Sequence, residues 1–300
     1  MKRKTSSYPS YNKNKGNTKI TIAGNIIQVA EYEKVNHDPP KIRRINAIQW
    51  LNLETGEIFD RKAKTSRQDT VRRSISQLRD IINANTDTAE NIRWCTLTYR
   101  ENMTDTVRLM KDLEKFNKRL KFYLQGIGQA DNEYITAIEP QGRGAWHAHI
   151  LLIWQHKAPY ISNDDFNKIW GNGFVCIKAV NNVDNIGAYL SAYMMDTLDE
   201  EGNSKKGERL HYYPPNMRYY RCSKGIKKPS VIWTTDGEAK RITQGLTITY
   251  ETERILVIKD EPSSIKYTHY NRKPNPKARV KDGTSESQVN AAEIFSQKNV

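Results

Sequence analysis

Tyr134-Ile-Thr-Ala-Ile-Glu139-Pro-Gln-Gly-Arg143-Gly-Ala-Trp146-His-Ala-His149-Ile-Leu-Leu-Ile-Trp154 reads as two strands joined by a tight turn. Pro140-Gln141-Gly142-Arg143-Gly144 is turn chemistry. Side chains alternate faces along a strand, so His147 and His149 share one face and Ala148, Ile150 and Leu152 take the other. Glu139, on the partner strand, meets the two imidazoles across the hairpin. Such a group can hold a divalent metal, and an oxygen ligand beside two nitrogens suits Mn2+ or Mg2+ better than a thiolate-rich set would. There it would act as a Lewis acid on a phosphoryl oxygen.

Outward from the hairpin, Ile92–Tyr99 is rich in aromatic and β-branched residues and reads as a strand. A long helix follows, capped by Asp105, with Val107, Met110, Leu113, Leu120 and Leu124 on one stripe. Downstream, a short helix starts at Ser162-Asn163-Asp164-Asp165 and stops near Gly171; Phe174–Val180 is a strand and Asn185–Thr197 is helical in pattern. Upstream, Val71, Ile75, Leu78 and Ile82 make 67–84 an amphipathic helix that carries Arg72, Arg73 and Arg79. Leu246–Ile258 supplies one or two closing strands. This order predicts an α+β fold, with helices packed on a mainly antiparallel central sheet.

The net charge of +14 and pI of about 9.5 attract polyanions, nucleic acid first among them. Residues 1–19 hold Lys2, Arg3, Lys4, Lys13, Lys15 and Lys19 and no acid, a basic arm suited to phosphates. Cys95, Cys176 and Cys222 are far apart, which argues against a zinc ribbon or a disulfide scaffold and suits a reducing cytoplasm. No apolar stretch approaches a bilayer span, and the start of the sequence lacks the apolar core of a signal peptide, so no membrane is expected as a partner.

Tyr189 and Tyr193 stand four residues apart, neighbours on one helical face. A phenol can attack phosphorus and hold a covalent phosphotyrosine. Ile186, Tyr189, Leu190, Tyr193 and Met194 also form an ordinary apolar stripe, and periodicity alone favours core packing.

Taken in order, these stretches resemble the replication initiators of small rolling-circle plasmids and phages, members of the HUH endonuclease superfamily. Cys95-Thr96-Leu97-Thr98-Tyr99 resembles the first motif. Glu139 with Gly142–His149 resembles the metal-binding motif, and Tyr189–Tyr193 the nucleophile motif. Tyr220-Arg221-Cys222-Ser223-Lys224-Gly225-Ile226-Lys227-Lys228-Pro229 looks like a segment that follows the nucleophile in bacterial members. The resemblance covers roughly residues 67–235. It implies a site-specific single-strand endonuclease and strand transferase of the bacterial cytoplasm. Tyr189, with Tyr193, would nick single-stranded or hairpin origin DNA, forming a 5′-phosphotyrosine and a free 3′ hydroxyl, and later rejoin strands. Glu139, His147 and His149 would hold Mn2+ or Mg2+. Arg72, Arg73, Arg143, Lys178, Arg221, Lys224, Lys227 and Lys228 would meet the DNA. No phosphate-binding Gly-x-x-x-x-Gly-Lys-Ser/Thr loop is present, so helicase and polymerase would come from the host. A relaxase or single-strand transposase, or an inactive origin-binding protein, is the alternative. Many members place Lys three residues after the catalytic tyrosine; here Ala192 and Asp196 stand there, and Lys178 and Arg143 are both open as substitutes. The expected organisation is a basic arm and extension over 1–60, a nuclease domain over 61–260, and a polar, disordered tail over 261–300. Tyr212, Tyr213, Tyr219 and Tyr220 are candidates for stacking on bases, or for packing a loop on the sheet.

Overall fold

The computed structural model describes residues 16–35, 41–46, 48–60, 67–86, 88–129, 131–180, 185–192, 212–214, 217–258 and 261–273. In chain order the strands are β1 (Thr18–Ala23), β2 (Ile26–Tyr32), β3 (Ile42–Arg44), β4 (Gln49–Asn52) and β5 (Ile58–Asp60). Then come α1 (Arg67–Asn85), β6 (Ile92–Leu97), α2 (Thr106–Gly126), β7 (Glu133–Pro140), β8 (Trp146–Ile153), α3 (Asn163–Trp170), β9 (Val175–Lys178) and α4 (Ile186–Ala192). Last are β10 (Tyr220–Cys222), β11 (Ser230–Thr234), α5 (Asp236–Thr243), β12 (Thr247–Ile258) and β13 (Glu261–Asn271). The expected α+β class with antiparallel sheet is what forms.

Two compact units divide the chain. One gathers Ile27–Ser66 and Ser230–Asn271 with the residues before Ile22; the other is built on Arg67–Pro229 with Ile22–Ile26. The first contains a five-stranded sheet of order β11-β1-β2-β13-β12 and a three-stranded sheet β3-β4-β5. Five strands thus occupy 18–60, where an arm and extension are expected, and β13 occupies 261–271, where a tail is expected. Pairing along the whole of β12 supplies the hydrogen bonds that β13's own polar composition does not advertise. Residues 1–15 and 274–300 lie outside the described residues.

The second unit is the one that matters for the site. Its sheet runs β10-β7-β8-β6-β9, with every pairing antiparallel and β8 at the centre. The element order β6–α2–β7–β8–α3–β9–α4 is that expected from the sequence pattern. Asp105 caps α2 by accepting from the N–H groups of Val107 and Arg108. Ser162 caps α3, and Gly171 closes it in the left-handed conformation (φ 74°) that glycine adopts without strain.

The buried stripe of α2 differs from the expected one. Leu109, Leu113, Phe116, Leu120 and Leu124 face the core, whereas Val107 is 63% exposed. The first two turns permit either phase, and Phe116 decides: it packs against Phe166 and Trp170 of α3. Ile75, Leu78 and Ile82 form the buried stripe of α1 as expected, and α1 packs against α4. Gly187 lets them close up, since a Cβ there would lie 2.3 Å from the Arg79 carbonyl oxygen. Asn83 then ties the helices, donating to Asn185 Oδ1 at 2.8 Å and accepting from the Gly187 N–H at 2.7 Å. Among the described residues no helix is long and apolar enough to cross a membrane.

Candidate metal centre

The register of the central sheet builds the site. Glu139 sits directly opposite His147, Ala137 opposite His149, and Thr96 opposite His149 on the other side. Directly paired residues share a face. Glu139, His147, His149, Thr96 and Trp94 therefore project to one side of the sheet. Tyr99, whose hydroxyl donates to Asp112 of α2 at 3.2 Å, continues the opposite side of β6. So α2 covers the face away from the imidazoles.

Three ligand-type atoms converge. His147 Nε2 and His149 Nε2 are 3.1 Å apart. Glu139 Oε2 lies 3.6 Å from the first and 3.4 Å from the second. The two rings stand nearly perpendicular, at 83°. All three side chains are largely buried, the imidazoles 12% and the carboxylate 7% exposed. Atoms bound to one cation at about 2.1 Å stand about 3.0 Å apart in an octahedral shell and about 3.4 Å apart in a tetrahedral one. The observed spacings match, and the group could hold a metal ion.

The neighbours of the imidazoles differ. His149 Nδ1 lies 3.0 Å from Thr96 Oγ1, and the ring stacks on Trp94 at 5.2 Å and 6°. If Nδ1 carries the proton and Thr96 accepts it, Nε2 presents a lone pair to the cluster. His147 Nδ1 is buried with no hydrogen-bond partner among the described residues. Sequence reasoning places Thr96 in a strand motif but gives it no role, and does not single out Trp94. Only the register across β6 and β8 puts them beside His149.

The remaining expected residues are spread more widely. Tyr189 lies in α4, half-buried and packed against the core of the unit. Tyr193 lies outside the described residues. Lys178 projects on the imidazole side, opposite Trp94, and Arg143 is exposed in the hairpin turn. Arg73, Arg221, Lys224, Lys227 and Lys228 are exposed, and the side chain of Arg72 lies outside the described residues. Tyr213 and Tyr219 are not available to stack on bases: both are buried, and the Tyr213 hydroxyl donates to the Ile138 carbonyl at 2.7 Å. Tyr212 packs its ring on Gly144 of the hairpin turn. Tyr220 is half-buried, and burial followed by the neighbouring Cys222 raises its phenol pKa. All three cysteines are free, as their spacing predicts.

Residues 92–198 match the model of a family described as replication-associated protein ORF2. The matched span opens on β6 and contains the Glu139–His147–His149 cluster and both tyrosines. No curated protein and no solved structure matches the chain.

Proposed function

We propose that this chain is a replication initiator that nicks one DNA strand by tyrosine transesterification at a divalent metal. The observation that carries the reading is the convergence of two imidazole nitrogens and one carboxylate oxygen, within a span similar to a replication-associated family. Glu139, His147 and His149 would hold Mn2+ or Mg2+, and Thr96 would fix the direction of the His149 lone pair. When bound, the cation would draw negative charge from the scissile phosphate and so favour attack on phosphorus.

Tyr189 is the proposed first nucleophile, with Tyr193 for the second transfer. The phenol oxygen forms a bond to phosphorus as the bond from phosphorus to the 3′ oxygen breaks. The phenol gives up one proton and the departing 3′ oxygen takes one, so the products are a 5′-phosphotyrosine and a 3′ hydroxyl. One phosphodiester replaces another, and no nucleotide cofactor is consumed. The exposed Lys and Arg residues would bind single-stranded or hairpin origin DNA, while helicase and polymerase come from the host.

The test is incubation with a hairpin oligonucleotide from the flanking DNA and Mn2+, followed by denaturing electrophoresis. A covalent protein–DNA band is expected, lost in Tyr189→Phe. Binding without any adduct, across hairpin substrates, would replace this reading with that of an origin-binding protein.

A further inference from the structure

We infer that residues 223–228 form a pre-organised cradle for the phosphates of a DNA strand, at the end of the sheet opposite the metal centre. This rests on the nicking reading, and it lies outside the residues that match the family. Surface loops are ordinarily the mobile parts of a fold. This one is pinned at both ends. At its start, the Ser223 hydroxyl and the Gly225 N–H donate to the same carboxylate oxygen of Glu133, the latter at 3.1 Å. The Tyr134 N–H donates to Ser223 Oγ at 2.8 Å. At its far end, Asn85 of α1 grips one peptide from both sides: the Lys227 N–H donates to its Oδ1 at 2.9 Å, and its Nδ2 donates to the Lys227 carbonyl at 2.8 Å. Between the pins, Ile226 packs on the core. Gly225 is forced by the close approach, since a Cβ there would lie 2.2 Å from Glu133 Oε1.

What this framework presents is positive charge. Lys224, Lys227 and Lys228 are exposed, and among the described residues none has an acidic partner within ion-pair distance. Glu133, the nearest carboxylate in the framework, accepts from the loop's Ser223 hydroxyl and Gly225 N–H instead. The cost of ordering the loop is met in folding and not at binding, which is the condition for a rigid polyanion site. The position sets a spacing. Glu133 begins β7 and Glu139 lies six residues along it, about 20 Å away at about 3.4 Å per residue. At one phosphate per about 3.4 Å of a stacked strand, the cradle would hold phosphates about six nucleotides from the scissile one.

The experiment measures fluorescence anisotropy of the full chain with oligodeoxythymidylates of about 25 and about 5 nucleotides, over a range of salt. Replacing Lys224, Lys227 and Lys228 together with Ala should weaken the long strand at least about tenfold at low salt. It should also flatten the slope of log affinity against log salt by about 2, and leave the short strand unchanged. Asn85→Ala, which keeps every cation, should weaken the long strand while raising amide exchange at Gly225 and Lys227. A triple variant that binds the long strand with the wild-type affinity and slope overturns the cradle alone. A wild-type chain that binds neither strand overturns the cradle and the nicking reading together. Equal displacement of the long strand by polyglutamate would overturn the cradle in favour of an acidic protein partner.

Discussion

Thr96 shows how much a single hydroxyl can decide. It lies beside His149 on the side away from the cluster, where it selects which ring nitrogen keeps its lone pair. Thr96→Val removes that partner and conserves shape. We expect Mn2+ affinity, measured by calorimetry, to fall about 10–100-fold, the effect of losing a hydrogen bond behind a ligand. Thr96→Ser should retain it, and a silent Thr96→Val would show that Trp94 stacking alone orients the ring. The ligand residues themselves are legible in the sequence, because period-2 alternation needs no tertiary information. Thr96 and Trp94 are not, because cross-strand register depends on how three separate segments align. Gly187 is equally illegible, since its reason is the backbone of another helix.

Among the elements, α3 offers the cleanest test of the local rules. Its start at Ser162 and stop at Gly171 are readable because caps are local chemistry. Ser162→Ala should cost about 1 kcal/mol in urea unfolding. It should also change the acid limb. Asp165 has its carboxyl held below the ordinary range, chiefly by the Ser162 hydroxyl and then by the Tyr123 hydroxyl. A lowered folded-state pKa stabilises above the unfolded value and is lost as pH falls through the folded one. Wild-type stability should therefore decline through that acid window more steeply than the variant's; parallel curves would remove Asp165 from the account. The phase of α2 escapes the sequence for the opposite reason, because Val107 and Met110 continue a plausible stripe and only packing against α3 excludes Val107 from it. Likewise β13 hides behind Pro262, Ser263 and Ser264, and is a strand only because β12 runs its full length beside it.

At the scale of the molecule, the net charge of +14 is spread over many side chains, while the metal cluster is three residues deep in one sheet. Binding and cleavage should therefore separate. His147→Ala is expected to abolish nicking while single-strand affinity stays within about threefold of wild type, because affinity rests on distributed phosphate contacts. Parallel loss of both, with the fold intact by circular dichroism, would undercut the cluster as a metal centre. The sequence also hides the division into units, because one of them is assembled from the two flanks of the other. That arrangement has a consequence during translation. The hairpin of β1 and β2 leaves the ribosome early, yet its sheet partner β13 begins only at Glu261. At about 5–20 residues per second the wait is about 10–50 seconds. Throughout it the nascent hairpin shows a bare strand edge, while every strand of the other sheet has already been made.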